Sequence, residues 1–146
     1  MIKNLSVNNS TKIKLSKNLV HKLVTNLRKE FTFSIENLAI NFVESSYIHT
    51  LNKKYLGYDC STDVITFNYS EENYKLDGDI FISLEDAYTN SKKYNVTFRN
   101  EIIRLIVHGI LHLLGYDDRN KNNRKAMKRI ENRLVDKQDE LLKKIK

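Results

Sequence analysis

His108-Gly-Ile-Leu-His112-Leu-Leu-Gly115-Tyr-Asp117-Asp118 is the stretch whose residue types and spacing can hold a metal ion. Two histidines four residues apart on a helix stand one above the other, about 6 Å along the axis, so both imidazoles reach one ion from one face. Gly115 follows His112 by three residues, where a helix that ends in the left-handed conformation takes glycine. A chain that turns there brings a third ligand, Asp118, up to the same ion. Two imidazoles and a carboxylate suit zinc, and three protein ligands leave a fourth position for water, which separates a catalytic site from a structural one. One Zn2+ is the expected cofactor, with His108, His112 and Asp118 as its ligands.

A lone His-x-x-x-His is weak, because two core or surface histidines produce it by chance. The glycine seven residues after His108 and the carboxylate ten residues after it sharpen the signal. Ligands at zero, four and ten also mark the zinc helix and turn of the metzincin peptidases. Those enzymes carry glutamate directly after the first histidine, as the base that takes a proton from the zinc water. Here that position is Gly109, which argues against peptidase chemistry.

The elements that must position this stretch belong to a chain of ordinary domain size. At 146 residues it is long enough to bury one core without staples, and 40% hydrophobic with 29% charged residues is a globular composition. No apolar run approaches the ~18 residues of a membrane helix, and the N-terminus lacks a signal-like apolar run. Cys60 is the single cysteine, which leaves no internal disulfide and reads as a small loop residue. The expected compartment is the cytoplasm. The net charge of +7 is unevenly placed: residues 119–146 hold eleven Lys or Arg against four acids, and residues 1–118 balance at fourteen each. A basic segment beside a metal site suits a polyanionic partner, whereas alone it reads as a solvated helix face.

Taken in order, residues 2–8 suggest an edge strand. Ser16 is placed to cap a helix with Leu19, Val20, Leu23, Val24, Leu27 and Phe31 on one stripe; His21 falls off it. A strand is expected over 38–43, then a short helix from Ser45 or Ser46, with Ile48, Leu51 and Tyr55 inward and an end at Gly57. His49 lies off that stripe. Residues 58–62 read as a loop, 64–69 and 76–83 as strands with Asp77-Gly78 marking a turn or bulge, and 85–94 as a helix. Thr97 is a cap for the helix that carries the histidines. Ile102, Ile103, Leu105, Ile106, Ile110, Leu111, Leu113 and Leu114 surround that helix, so it is expected to be the central, most buried element. A polar group inside such a helix needs a partner. Glu101, seven residues before His108 and on the same face, could orient an imidazole or pair with Arg104. A long helix follows Arg124, with Met127, Ile130, Leu134 and Leu141 on its stripe. The chain reads as a single α+β domain over residues 1–146, a small mixed sheet packed with about five helices.

Three segments together resemble the YbeY endoribonucleases, the rRNA maturation factors. They are Leu51-Asn-Lys-Lys-Tyr-Leu-Gly-Tyr-Asp-Cys-Ser-Thr-Asp-Val-Ile-Thr-Phe67, Gly78-Asp-Ile-Phe-Ile-Ser83, and residues 108–118. They fall between residues 51 and 118, a little under half of the chain, in the family's order and spacing. The resemblance places the family's three zinc ligands on His108, His112 and position 118, where the family usually has histidine and this chain has Asp118. Asp117 could substitute if the turn differs. Leu56 stands where many members have an arginine thought to contact RNA, and Thr66-Phe67-Asn68 lacks the serine and proline common there. Lys53, Lys54 or Arg104 could take over from the missing arginine. The resemblance implies a small mixed sheet with the zinc helix at its centre. It also implies a metal-dependent, single-strand-specific endoribonuclease of ribosomal RNA maturation, notably at the small-subunit 3′ end, and of ribosome quality control. RNA, within ribosomal particles, is the implied partner, with ribosomal proteins or a GTPase as possible others and no membrane.

An open zinc site lowers the pKa of bound water from about 15.7 to about 7 and can polarise a phosphoryl oxygen. Phosphodiester hydrolysis is then available without a glutamate at position 109, with Asp117 or Glu101 as candidate proton acceptors. Attack by the RNA 2′-hydroxyl is the alternative route. The basic segment, Arg119 and Lys125 included, would hold the phosphate backbone. Two other classes stand beside this reading: a metallopeptidase, and a non-catalytic RNA-binding or ribosome-assembly factor whose zinc pins the Gly115 turn.

Overall fold

The computed structural model describes residues 2–57 and 62–144. Most of the loop expected at 58–62, with Cys60, lies outside the described residues. The elements are β1 (Leu5–Asn9), α1 (Lys17–Phe31), β2 (Ser34–Val43), α2 (Ser45–Leu51) running into one π-helical turn (Asn52–Leu56), β3 (Val64–Asn68), β4 (Lys75–Ser83), α3 (Leu84–Lys93), α4 (Phe98–Leu113) and α5 (Lys121–Leu141). The strands form one sheet in the order β1-β2-β4-β3. β1 and β4 both run parallel to β2, and β3 runs antiparallel to β4, so the sheet is mixed and the fold α+β.

Alternation along the two central strands sets the layers. Leu38, Ile40 and Phe42 of β2 and Leu76, Ile80 and Ile82 of β4 are fully buried at every second position, the period of a pleated strand. They join α1 and α4 in one core. On the other face, Ile65, Phe67 and Phe81 pack with Val43, Ile48 and Leu51, so α2 covers part of the sheet's far side. The first helix is capped as expected, Ser16 Oγ accepting from the Leu19 amide at 3.1 Å. Ser83 and Thr97 cap α3 and α4 in the same way.

Helix α4 is the central element, with ten of its sixteen residues buried. It lies so close to β4 that a Cβ on Gly109 would meet Ile80 side-chain carbons at 3.0 Å. No helix among the described residues is long and apolar enough to cross a membrane.

Several local expectations need correction. Asp77-Gly78 makes no turn, since β4 runs through it. The bulge lies opposite, on β2, where the register shifts at Glu36 between the pairs Ile35–Leu76 and Asn37–Asp77. Position 78 is glycine because a Cβ would run into the Phe67 carbonyl oxygen on β3. Tyr55 and Leu141 are exposed rather than inward. The final helix starts at Lys121 rather than after Arg124, because Asn120 Oδ1 accepts the Asn123 amide at 2.8 Å and caps it there.

Candidate metal centre

Helix α4 ends in a complete Schellman turn. The Tyr116 amide donates to the Leu111 carbonyl and the Gly115 amide to the His112 carbonyl, both at 3.0 Å, with Gly115 at φ +100°. This is the turn that the glycine spacing predicts. It returns the chain over the last turn of α4 and sets Asp118 Oδ2 3.8 Å from His112 Nε2. His108 Nε2 and His112 Nε2 face each other at 3.1 Å, their rings inclined at 72°. One ligand atom from each of His108, His112 and Asp118 lies within 4.8 Å of the other two.

The donor set fits a divalent ion. Two nitrogens bound tetrahedrally at about 2.0–2.1 Å stand roughly 3.3 Å apart, close to the 3.1 Å between the imidazoles. Facing ring nitrogens also need something between them, a proton or a cation, since two bare lone pairs repel. Burial, followed by the neighbouring His108, pushes the His112 pKa below its ordinary value, more than Asp118, Asp117 and Glu131 raise it. A neutral imidazole is the ligating form.

Behind His108 stands a residue that sequence reasoning missed. Glu131 of α5 is only 4% exposed, and its Oε1 lies 2.7 Å from His108 Nδ1. Its Oε2 accepts from Arg104 Nη1 at 2.9 Å and from Lys128 Nζ at 3.1 Å. Burial opposes ionisation of this carboxyl, but the hydrogen bonds and charges of His108 and Lys128 outweigh it and hold the pKa down to about 2. An ionised carboxylate only accepts, so the bond to Glu131 is made by an N–H on His108 Nδ1, and Nε2 is the ring nitrogen left to face His112. The signal for Glu131 was its register: it falls between Met127 and Leu134 on the stripe that α5 buries.

Glu101 does not orient the imidazole, and it interacts with Arg104 through space without an ion pair among the described residues. It lies about 10 Å along α4 from His108, and its side chain is 3% exposed beside Asn90, Asp63 and Arg104. Burial raises its pKa, with Arg104 opposing. The imidazole is oriented by Glu131, and the Arg104 guanidinium reaches Glu131 and Asn132 Oδ1. Asp117 is turned to a structural task, its Oδ1 accepting from the Arg119 amide at 3.2 Å and Asn123 Nδ2 at 3.0 Å. These bonds, Asn123 first, lower its pKa.

His108 and Asp118 open onto a cleft of about 950 Å³, floored by α4, with α5 on one side and the end of α3 and start of β3 on the other. A family model described as endoribonuclease YbeY matches residues 2–139. This chain belongs to that family. Among its relatives, endoribonuclease YbeY of Chlorobium phaeobacteroides is 36% identical over 84% of this chain and 86% of its own. Endoribonuclease YbeY of Bacteroides fragilis is 43% identical over 69% and 72%. The solution structure of TM1509 from Thermotoga maritima superposes with a TM-score of 0.68 at 27% identity, covering 95% of this chain and 91% of that one.

The residues at which this member departs from the family pattern can now be placed. Asp118, where the resemblance expects histidine, stands on the turn with a carboxylate oxygen within 4.8 Å of a ring nitrogen of each imidazole, so the cluster that could hold a metal ion is kept. Leu56 ends the π-helical turn and is exposed. Of the candidate nucleic-acid contacts, Arg104 and Lys125 line the cleft; Lys53, Lys54 and Arg119 are not among its described lining residues. Lys54 instead lies over the Tyr55 ring, 5.2 Å from its centroid. Lys121 and Arg124, not singled out from the sequence, line the cleft beside Lys125.

Proposed function

We propose that this chain is a metal-dependent endoribonuclease that cuts single-stranded RNA, acting in the cytoplasm on ribosomal RNA during its maturation. The observation that carries this reading is one juxtaposition: His108 and Asp118, two of three convergent metal-binding donors, stand in a cleft whose α5 wall bears Lys121, Arg124, Lys125 and Lys128. The relatives at 36% and 43% identity are named endoribonucleases, which supports the same activity here.

His108, His112 and Asp118 would hold the ion, and the nitrogen-rich set with one carboxylate favours zinc. When bound, such an ion supplies Lewis acidity toward a phosphoryl oxygen and acidifies a water or hydroxyl in contact with it. The protein's own residues do the rest. Glu131 holds the His108 proton on Nδ1 and fixes the ring. The α5 cations grip the phosphate backbone and so set the position of the scissile bond. Gly109 faces Ile80 in the core, so the base that a peptidase of this spacing carries at that position has no access to the cleft. Asp117 is held by its turn and Glu101 lies away from the imidazoles, so neither is assigned the proton transfer.

The test joins metal analysis of purified protein to cleavage of a single-stranded RNA by wild type and His108→Ala prepared identically. Wild type is expected to carry close to one equivalent of zinc and to cut the RNA, and the variant to lose both. Equal cleavage by the two proteins would assign the activity to a contaminant and overturn the reading. A 2′,3′-cyclic phosphate on the product would select the 2′-hydroxyl as nucleophile over water.

A further inference from the structure

The two walls of the cleft differ in kind. The α5 wall is cationic: Lys121, Arg124 and Lys125 are exposed, and none has an acidic partner within ion-pair distance among the described residues. The opposite wall carries Tyr94 and Val96 with Val64, Asn90 and Asp63, whose carboxylate accepts from Asn90 Nδ2 at 3.0 Å. Tyr94 is 60% exposed although it borders a cavity. Most of the other exposed tyrosines are spoken for. Tyr47 packs on Phe81, Tyr55 on Phe67, Tyr88 on Phe98 and Tyr116 on Phe31, and the Tyr69 hydroxyl donates to Asp79. Tyr94 has no ring neighbour among the described residues, and its one described side-chain contact is the Lys93 ammonium, 5.4 Å from the ring centroid.

A groove with cations on one side and an open aromatic face on the other suits a single nucleic-acid strand. Phosphates are held by the cations, and a base stacks on the ring, which every base can do because each has a π-face. A duplex cannot use the second wall, since its bases are stacked on one another. We propose that Tyr94, flanked by Val96 and Lys93, is a stacking platform for a base of single-stranded RNA whose phosphates lie along Lys121, Arg124 and Lys125. This rests on the endoribonuclease reading and adds to it the source of strand selectivity: the strand runs back along α4 from His108 toward Glu101, with its bases turned away from α5.

Binding of fluorescein-labelled single-stranded oligoadenosine to the full-length chain, read by anisotropy with oligonucleotide integrity checked on a gel, tests the platform. Tyr94→Ala is expected to weaken binding roughly 5- to 100-fold. Tyr94→Phe, which keeps the ring, is expected to bind as wild type does. Tyr74→Ala, a control at another exposed tyrosine that does not line the cleft, is expected to change nothing. An abasic strand should bind wild type and Tyr94→Ala equally. If Tyr94→Ala binds oligoadenosine as tightly as wild type, or Tyr74→Ala is equally damaged, the platform is overturned while wild-type cleavage leaves the endoribonuclease reading intact. Wild type that neither binds nor cuts the strand would overturn both.

Discussion

Glu131 carries a burden out of proportion to its place on a charged helix. Bonds from His108, Arg104 and Lys128 converge on its two oxygens, and a carboxylate behind a ligating imidazole fixes both tautomer and ring orientation. Glu131→Ala is expected to weaken binding of Zn2+ or Co2+ by about 10- to 100-fold, measured by competition with a chromophoric chelator, and Glu131→Gln less, since its carbonyl still accepts from Nδ1. Unchanged metal affinity in the alanine variant would reduce Glu131 to a packing residue. Glu101 poses the opposite electrostatic problem, because burial raises its pKa. A carboxyl with a raised folded-state value binds its proton more tightly in the native chain, so its contribution to stability is present below the unfolded value, near 4.5, and is lost as pH climbs through the folded one. Glu101→Gln removes that loss. The difference in Tm between Glu101→Gln and wild type is therefore expected to move in the variant's favour from pH 4 to pH 8; a difference flat with pH would contradict the assignment.

At the scale of elements, the site depends on how α4 stops. The Schellman turn requires a left-handed residue at position 115, and a Cβ there would also stand 2.7 Å from Asn73 Nδ2. Gly115→Ala is expected to cost about 1–2 kcal/mol in strain, read as a Tm drop of a few degrees. It is also expected to loosen metal binding, since the same turn sets Asp118. A variant with wild-type metal affinity would separate the turn from the site. The other requirement is that α5 lie against α4, and the contacts are polar as well as apolar. Arg99 reaches Asp139 at 2.9 Å, and Arg104 reaches Glu131 and Asn132. Arg133 and Lys137 meet Glu30 of α1 at 3.0 and 2.8 Å. Part of the basic excess of the C-terminal segment is thus spent on joining helices, and the cations of the first turns of α5 are the ones that face the cleft.

For the whole molecule, that division of charge decides how RNA binding responds to salt. Single strands release about 0.7 counterions per neutralised phosphate. Replacing both Arg124 and Lys125 by alanine is expected to lower the slope of log affinity against log salt by roughly 1.4, whereas replacing Arg133 and Lys137 should leave the slope alone and lower Tm. Equal slopes for both pairs would mean a diffuse electrostatic contact with no preferred wall. Much of this arrangement was legible in the residues. The histidine spacing, Gly115, the caps Ser16 and Thr97 and the apolar surround of α4 are local signals, each resting on the geometry of a single turn or helix face, and the structure carries all of them. Glu131 was hidden because its partner is 23 residues away on another helix, and position on a charged helix says nothing of what packs against it until the two helices meet. The reason for Gly78 was hidden in the same way, since the backbone of β3 that excludes a Cβ there comes from another strand. By itself, then, the sequence determined the metal-binding motif and the elements that bear it, because both are short-range. Only the tertiary structure decided which acid orients His108, which cations face the cleft and what lines the opposite wall, because those depend on contacts between segments far apart along the chain.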